Sequence, residues 1–391
     1  MATAIKSSDL ISVFGNEFGK EAVCQHYRDE RFMFSVFDLY ANDRKRAALE
    51  TKGFHAFIDH DAPIMLDSGG YQILRARIKG QHEKADYTNA ALARIYTAAH
   101  LGKLDQAMSL DIPPIWSTPH DEAMRLIARN DANLHELRSL LPGEIRPRIL
   151  PVLHGWSRIA FQASMNSCRA EPVVGIGAFF GLLANGKLCK ELVNKWILMM
   201  DLIHHDPDFK DKRFHALGAS GANPFHLCAY SGIEQTDSSA WRRQAAYFKL
   251  SFVALPVASI SGKCKAFLAP WKPAHDAALR ECTCECCAGL NLAERKALYL
   301  MGNEPGSTRD EKDTGERARG IHNIHHMILE RCIAEEMVGT PKYFKYLQQR
   351  FARSRNLKPF LKASHEARFQ PDLLRFIKDI KGPSVRRRDQ E

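Results

Sequence analysis

No uninterrupted apolar run in this 391-residue chain approaches the roughly 18 to 20 residues that a membrane span requires. The opening MATAIKSSDL has no apolar core of the kind that makes a secretory signal. A disulfide framework is lacking as well: of ten cysteines, four crowd into CTCECC at 282–287, while Cys24, Cys168, Cys189, Cys228, Cys264 and Cys332 are scattered. These absences argue against a membrane protein and a stapled secreted domain, and predict a globular protein of the cytoplasm. With 45% hydrophobic residues, the chain can build one large domain plus an attachment, or two ordinary domains.

Acidic residues are scarce at the C-terminal end. From Pro341 to Glu391, fourteen Lys and Arg face five Asp and Glu, so nine of the ten net positive charges lie there. That asymmetry suits a polyanion partner, with Arg386, Arg387 and Arg388 as candidate phosphate contacts; a solvated, partly helical surface is the plain alternative.

What is present is strand–helix alternation. Short apolar runs at 32–37, 63–66, 107–110, 148–153, 173–177, 214–218, 232–236 and 252–260 read as strands, separated by helix-like stretches such as HDEAMRLIARNDANLHELRSLL and KLCKELVNKWILMMDLIHH. About eight such units in this length predict an α/β fold, a TIM (β/α)8 barrel with its chemistry at the C-terminal ends of the strands. Three acids follow candidate strands: Asp67 in LDSGGYQ, Asp111 in SLDIPP and Asp237 in GIEQTDSS. Each can also be a turn or helix-cap residue, because an acid between strand and helix is what a βα loop favours.

CTCECC contains Cys-x-Cys-x-x-Cys through Cys282, Cys284 and Cys287, and the His-rich GIHNIHHMILERC follows. Three thiolates and one imidazole would close a tetrahedral zinc shell with no open position, so the site is expected to be structural. His322, His325 and His326 share one helix face, and Cys286 competes with Cys287, so spacing alone does not choose the ligands.

LDSGGYQ, SLDIPP, a Gly-rich GIGAFFG, GIEQTDSS and Cys-x-Cys-x-x-Cys followed by His-Asn occur in the order found in tRNA-guanine transglycosylases, which the chain resembles over roughly residues 60 to 335. The resemblance implies a TIM barrel, taken over residues 1–340, with a zinc-binding subdomain at about 270–335 inserted ahead of its last helix; the charge count adds a basic helical extension at 341–391. It implies that Asp237 is a nucleophile, Asp67 a general acid/base and Asp111 the reader of the incoming base. It also makes His322, which precedes Asn323, the fourth zinc ligand. Ser68, Tyr71 and Gly177 fall at base-contacting positions, and packing or turn formation reads equally well for them.

Departures from the family narrow the expected substrate. VLHGWS stands where the tRNA enzymes carry Val-Gln-Gly-Gly, so His154 falls at the place of a base-contacting Gln, to serve that role differently or simply to pack. GIGAFFG lacks the usual paired glycines. After Asp237 the chain reads DSSAWRRQAA in place of a Pro-Thr-Arg segment that helps grip the anticodon loop, leaving Arg242 and Arg243 as candidate phosphate contacts. With the basic tail, this resembles the DNA-modifying paralogues, the DpdA proteins. The expected activity is therefore exchange of guanine in DNA for a 7-deazaguanine such as preQ0, the alternative being exchange in tRNA with a diverged grip. A homodimer or partner modification proteins are left open.

Overall fold

The computed structural model describes residues 10–368 apart from 17–20, 41, 79–86, 116, 178–189, 220, 262–269, 353 and 355. Its centre is a parallel sheet of nine segments: β1 (Ile11–Asn16), β2 (Arg31–Ser35), β3 (Ile64–Asp67), β4 (Gln106–Met108), β5 (Ile149–Leu150), β6 (Val152–Leu153), β7 (Val173–Ile176), β8 (Arg213–Ala216) and β9 (Gln235–Ser238). Their order is β5-β4-β3-β2-β1-β9-β8-β7-β6. The two ends of that order, β5 and β6, are separated in sequence by Pro151 alone, so the sheet curls round into a nearly closed, barrel-like wall. Pro151 has no N–H to donate to the ladder, which breaks the strand there. Its carbonyl still accepts from Gly175 N at 2.9 Å.

Alternation along the strands sorts the side chains. Val13, Met65, Met108, Leu150 and Val173 form one buried cluster contributed by five different strands, the filling of the barrel-like interior. Their sequence neighbours Phe14, Ile64, Leu66 and Val174 belong to the larger core beneath the surrounding helices. Because residues i and i+2 share a face, Asp67 continues the inward row of Met65 and arrives at the rim.

Two expectations about strands are corrected. The first strand, Ile11–Asn16, was missed; it pairs with both β2 and β9, with Val13 beside Asp237. The run at 252–260 is not a barrel strand but part of an antiparallel hairpin, β10 (Lys249–Phe252) with β11 (Leu255–Ser259). Ala254 at φ 56° makes the turn, and Pro256 suits a strand with a free edge. A smaller shift concerns 232–236: Gly232, at φ 92°, caps the preceding helix, so the strand starts at Gln235 and carries Asp237 within it.

The hairpin belongs to a second core of Leu250, Phe252, Leu279, Cys282, Cys284, Cys287, Tyr299 and Ala318. The long helix Arg309–Met337 joins this body to the main one: Asn323 accepts from Ser251 N and donates to the carbonyls of Trp241 and Lys249. Helices Pro341–Arg350 and Leu357–Ala367 bury Tyr343, Leu347, Phe360 and Leu361 in the main core, and Trp196 Nε1 donates to Ser364 Oγ at 3.0 Å. No helix among the described residues is long and apolar enough to cross a membrane.

Candidate functional site

The stretch after β3 folds as it does because of its glycines. Gly69 takes φ +84°, a conformation other residues resist, and turns the chain into the helix Gly70–Ile78. A Cβ on Gly70 would lie 1.6 Å from the carbonyl oxygen of Asp111. Only glycine lets the β3 and β4 loops approach this closely, and the approach brings Asp67, Ser68 and Asp111 together. Ser68 is fully buried, and its hydroxyl donates to Asp111 Oδ1 at 3.4 Å.

Asp67 is the electrostatic outlier. Burial pushes its carboxyl up to about 7, and the charges of Asp111 and then Asp237 add to the effect, while hydrogen bonds from Gly69 N–H and Ser35 oppose it. Three acids from β3, the β4 loop and β9 therefore share one rim, and one of them holds its proton near neutrality. Asp237 is better supported: Oδ1 accepts from Gly218 N at 2.8 Å and lies 3.1 Å from His215 Nε2. His215 is fully buried, and its other ring nitrogen has no hydrogen-bond partner.

His154 follows β6 and is also buried. Its Nε2 lies 3.1 Å from Asp111 Oδ2, yet neither ring nitrogen has the alignment of a hydrogen bond. The ring packs against Gly177, where an added Cβ would meet His154 Cε1 at 2.7 Å. The expected residues Asp67, Ser68, Asp111, His154, Gly177 and Asp237 are thus assembled at the C-terminal ends of the strands. Tyr71 stands on the adjoining helix, 60% exposed. Arg242 and Arg243 lie on the helix Ala240–Ala246 directly after Asp237; Arg242 lines a cavity of about 270 Å³ together with Trp241, Asp310 and Asp313. Arg386, Arg387 and Arg388 lie outside the described residues.

Two residues of this rim were not anticipated. His215 was read only as part of a strand. Lys195, on the helix Lys190–His205, is fully buried and donates to Gly177 O at 2.8 Å, with its ammonium 4.5 Å from the ring of Trp156. A signal for Lys195 was present: Leu192, Trp196, Met199, Met200 and Ile203 are the buried face of that helix, and position 195 falls on it.

In the second core, the ligand atoms of Cys282, Cys284, Cys287 and His322 all lie within 4.8 Å of one another, and all four residues are buried. Sulfurs at about 2.3 Å from a common ion stand about 3.8 Å apart at a tetrahedral angle, so the cluster fits a metal ion. The geometry also resolves the alternatives left by spacing, selecting Cys287 over Cys286 and His322 over His325 and His326. His322 Nε2 lies 3.1 Å from Ser251 O and must donate there, which turns Nδ1 toward Cys282 Sγ at 3.4 Å. Tyr299 Oη approaches Cys287 Sγ at 3.0 Å, and Arg295 donates to the carbonyls of Arg280, Cys282 and Leu290, holding the knuckle.

No protein-family model matches the chain, and no curated protein matches it.

Proposed function

We propose that the protein is a base-exchange enzyme, a transglycosylase that replaces guanine in DNA by a 7-deazaguanine through a covalent intermediate on Asp237. The observation that carries the reading is the pairing of two differently held acids, Asp67 and Asp237, at one rim. In this reading, β5 and β6 count as one strand interrupted at Pro151, which makes the sheet a (β/α)8 barrel with its site where such barrels place it.

The steps follow from the environments of the acids. An Asp237 carboxylate oxygen attacks C1′ of the target nucleotide, and the C1′–N9 bond breaks with its electron pair going to guanine. Asp67, protonated near neutrality, supplies a proton to the leaving base. The incoming base then gives its N9 proton to Asp67, N9 attacks C1′ on the same face, and the Asp237 ester bond breaks, leaving both acids as they began. His215 and Gly218 N–H orient the nucleophile. Asp111, an acceptor when ionised, reads the ring N–H and amine edge of the base. The target nucleotide must leave its stack to reach the rim.

The Cys3His cluster is read as structural zinc: four protein ligands fill the shell, so the ion supplies folding free energy and takes no part in the chemistry. DNA is favoured over tRNA by the DSSAWRRQAA segment and the basic tail. The test is incubation of the purified protein with labelled guanine or preQ0 and either plasmid DNA or bulk tRNA, followed by digestion to nucleosides. Label in DNA, abolished by Asp237→Asn with fold and metal content intact, is the expected result. Label in tRNA alone reverses the polynucleotide, and wild-type exchange in Asp237→Asn removes the mechanism.

A further inference from the structure

Lys195 is the least expected charge in the molecule. It sits fully buried between Gly177, at the end of β7, and Trp156, which follows β6. Its surroundings are the carbonyl of Gly177 at 2.8 Å and the face of Trp156 at 4.5 Å. Trp156 is fixed in turn by its Nε1 donating to Pro114 O at 2.8 Å, three residues beyond Asp111. A lysine ammonium has three N–H donors and no acceptor, and one carbonyl uses one of them. His154, which packs against the same Gly177, is 1% exposed and has neither ring nitrogen aligned for a hydrogen bond, its Nε2 lying 3.1 Å from Asp111 Oδ2. Burial lowers the Lys195 ammonium to about 7. Such a group weakens the fold unless something it meets later makes use of it.

We infer that Lys195 is a specificity-determining residue of the base pocket, donating a hydrogen bond to a neutral acceptor on the 7-substituent of the incoming base and excluding a cationic substituent. The inference rests on the base-exchange reading above and deepens it. The chemistry fits: Asp111 accepts from the donor edge of a guanine-like base, and Lys195 offers donors where it holds the carbonyl of Gly177, against which His154 packs. A 7-cyano group presents a nitrile lone pair to the ammonium. A 7-aminomethyl group presents a second cation and no acceptor, in a region without water to screen the repulsion.

The test is a competition at pH 6, where Lys195 carries its charge, between 7-cyano- and 7-aminomethyl-7-deazaguanine for incorporation into the polynucleotide that the wild-type protein modifies, with melting temperature and metal content measured in parallel. The wild type should prefer the nitrile by at least about 100-fold, as a buried donor and a like-charge clash together require. Lys195→Met should bring the preference within about tenfold while melting at or above the wild-type temperature, because a buried charge has been removed. Lys195→Gln keeps a donor without the charge, so it should still use the nitrile while admitting the aminomethyl base. Unchanged selectivity in both variants, or Lys195→Met that melts lower and keeps its selectivity, makes Lys195 a structural tether and overturns the inference alone. A wild-type protein that exchanges neither base nor guanine on any polynucleotide overturns the proposed function and this inference with it.

Discussion

Replacing Asp67 by Asn should stabilise the protein at alkaline pH, and the size of the effect follows from how the carboxyl is held. Folded Asp67 keeps its proton up to about 7, against 3.8 for an unperturbed aspartate. Between those values the folded state binds a proton that the unfolded state has released. The stability contributed by this group is therefore full below the unfolded value, declines as pH rises, and is lost once pH passes about 7. From pH 5 to pH 8 the loss spans about two pH units at 1.36 kcal/mol each, a ceiling of about 3 kcal/mol. Solvent reaching the partly buried carboxyl reduces this to about 1–2 kcal/mol. Asn cannot ionise, so the variant escapes the loss. Denaturant unfolding of metal-loaded wild type and Asp67→Asn at pH 5, 6, 7 and 8 should show the variant gaining about 1–2 kcal/mol relative to wild type across the series. Asp111→Asn removes the larger of the two like charges acting on Asp67 and should narrow the pH window without closing it, because burial is the larger cause. A difference between wild type and Asp67→Asn that stays flat from pH 5 to pH 8 would refute the reasoning, whatever reaction the protein performs.

Cys284→Ser should release the bound metal and melt the second core, since one ligand of four is lost from a site whose occupancy is folding free energy; metal analysis and limited proteolysis of the purified variant check this. Gly70→Ala drives a methyl carbon onto the Asp111 carbonyl and should cost about 1–3 kcal/mol of stability and at least about 100-fold in base exchange, measured by thermal melting and label incorporation. Glu330→Ala should destabilise the protein by about 3–5 kcal/mol in denaturant unfolding, because the buried guanidinium of Arg350 and the ring of His226 lose their shared acceptor.

Local chemistry was legible in the sequence, and tertiary chemistry was not. LDSGGYQ announces a close turn because one that brings two loops within van der Waals contact needs glycines at fixed offsets, and those offsets are written in the chain. CTCECC is legible through the density of its thiols, while the choice of His322 over His325 and His326 waits on Ser251 O, supplied by a strand 71 residues away. The first strand escaped notice because Ser12 and Gly15 interrupt a short apolar run, and its identity depends on the two strands beside it. The hairpin at 249–259 carries as many apolar residues as a barrel strand; its Pro256 was the available sign of a free edge. His215 and Lys195 look ordinary in sequence. What sets them apart is burial, His215 beside Asp237 and Lys195 against the carbonyl of Gly177, and both conditions are made by the closing of the sheet.

The distribution of matched and unmatched charge separates scaffold from site. Glu330 takes two bonds from Arg350, one contact from His226 and one bond from Ala254 N, so its four lone-pair sites are filled. Asp105 receives Ile64 N, Gly102 N and His55 Nε2, and its carboxyl is held below the ordinary range despite burial. Arg295 spends its donors on carbonyls around the metal knuckle. These groups fasten elements together, and removing either partner leaves the other stranded. At the ends of β3, β4, β6 and β7 the pattern differs: Asp67 is raised beside two further acids, His154 is aligned for a hydrogen bond through neither nitrogen although its Nε2 lies 3.1 Å from Asp111 Oδ2, and burial lowers the Lys195 ammonium. Packing could have filled these positions with apolar side chains at lower cost, as it does one layer below with Met65, Met108 and Leu150. A fold that satisfies its buried charges elsewhere and raises one acid beside two others along a single rim marks that rim as its candidate site.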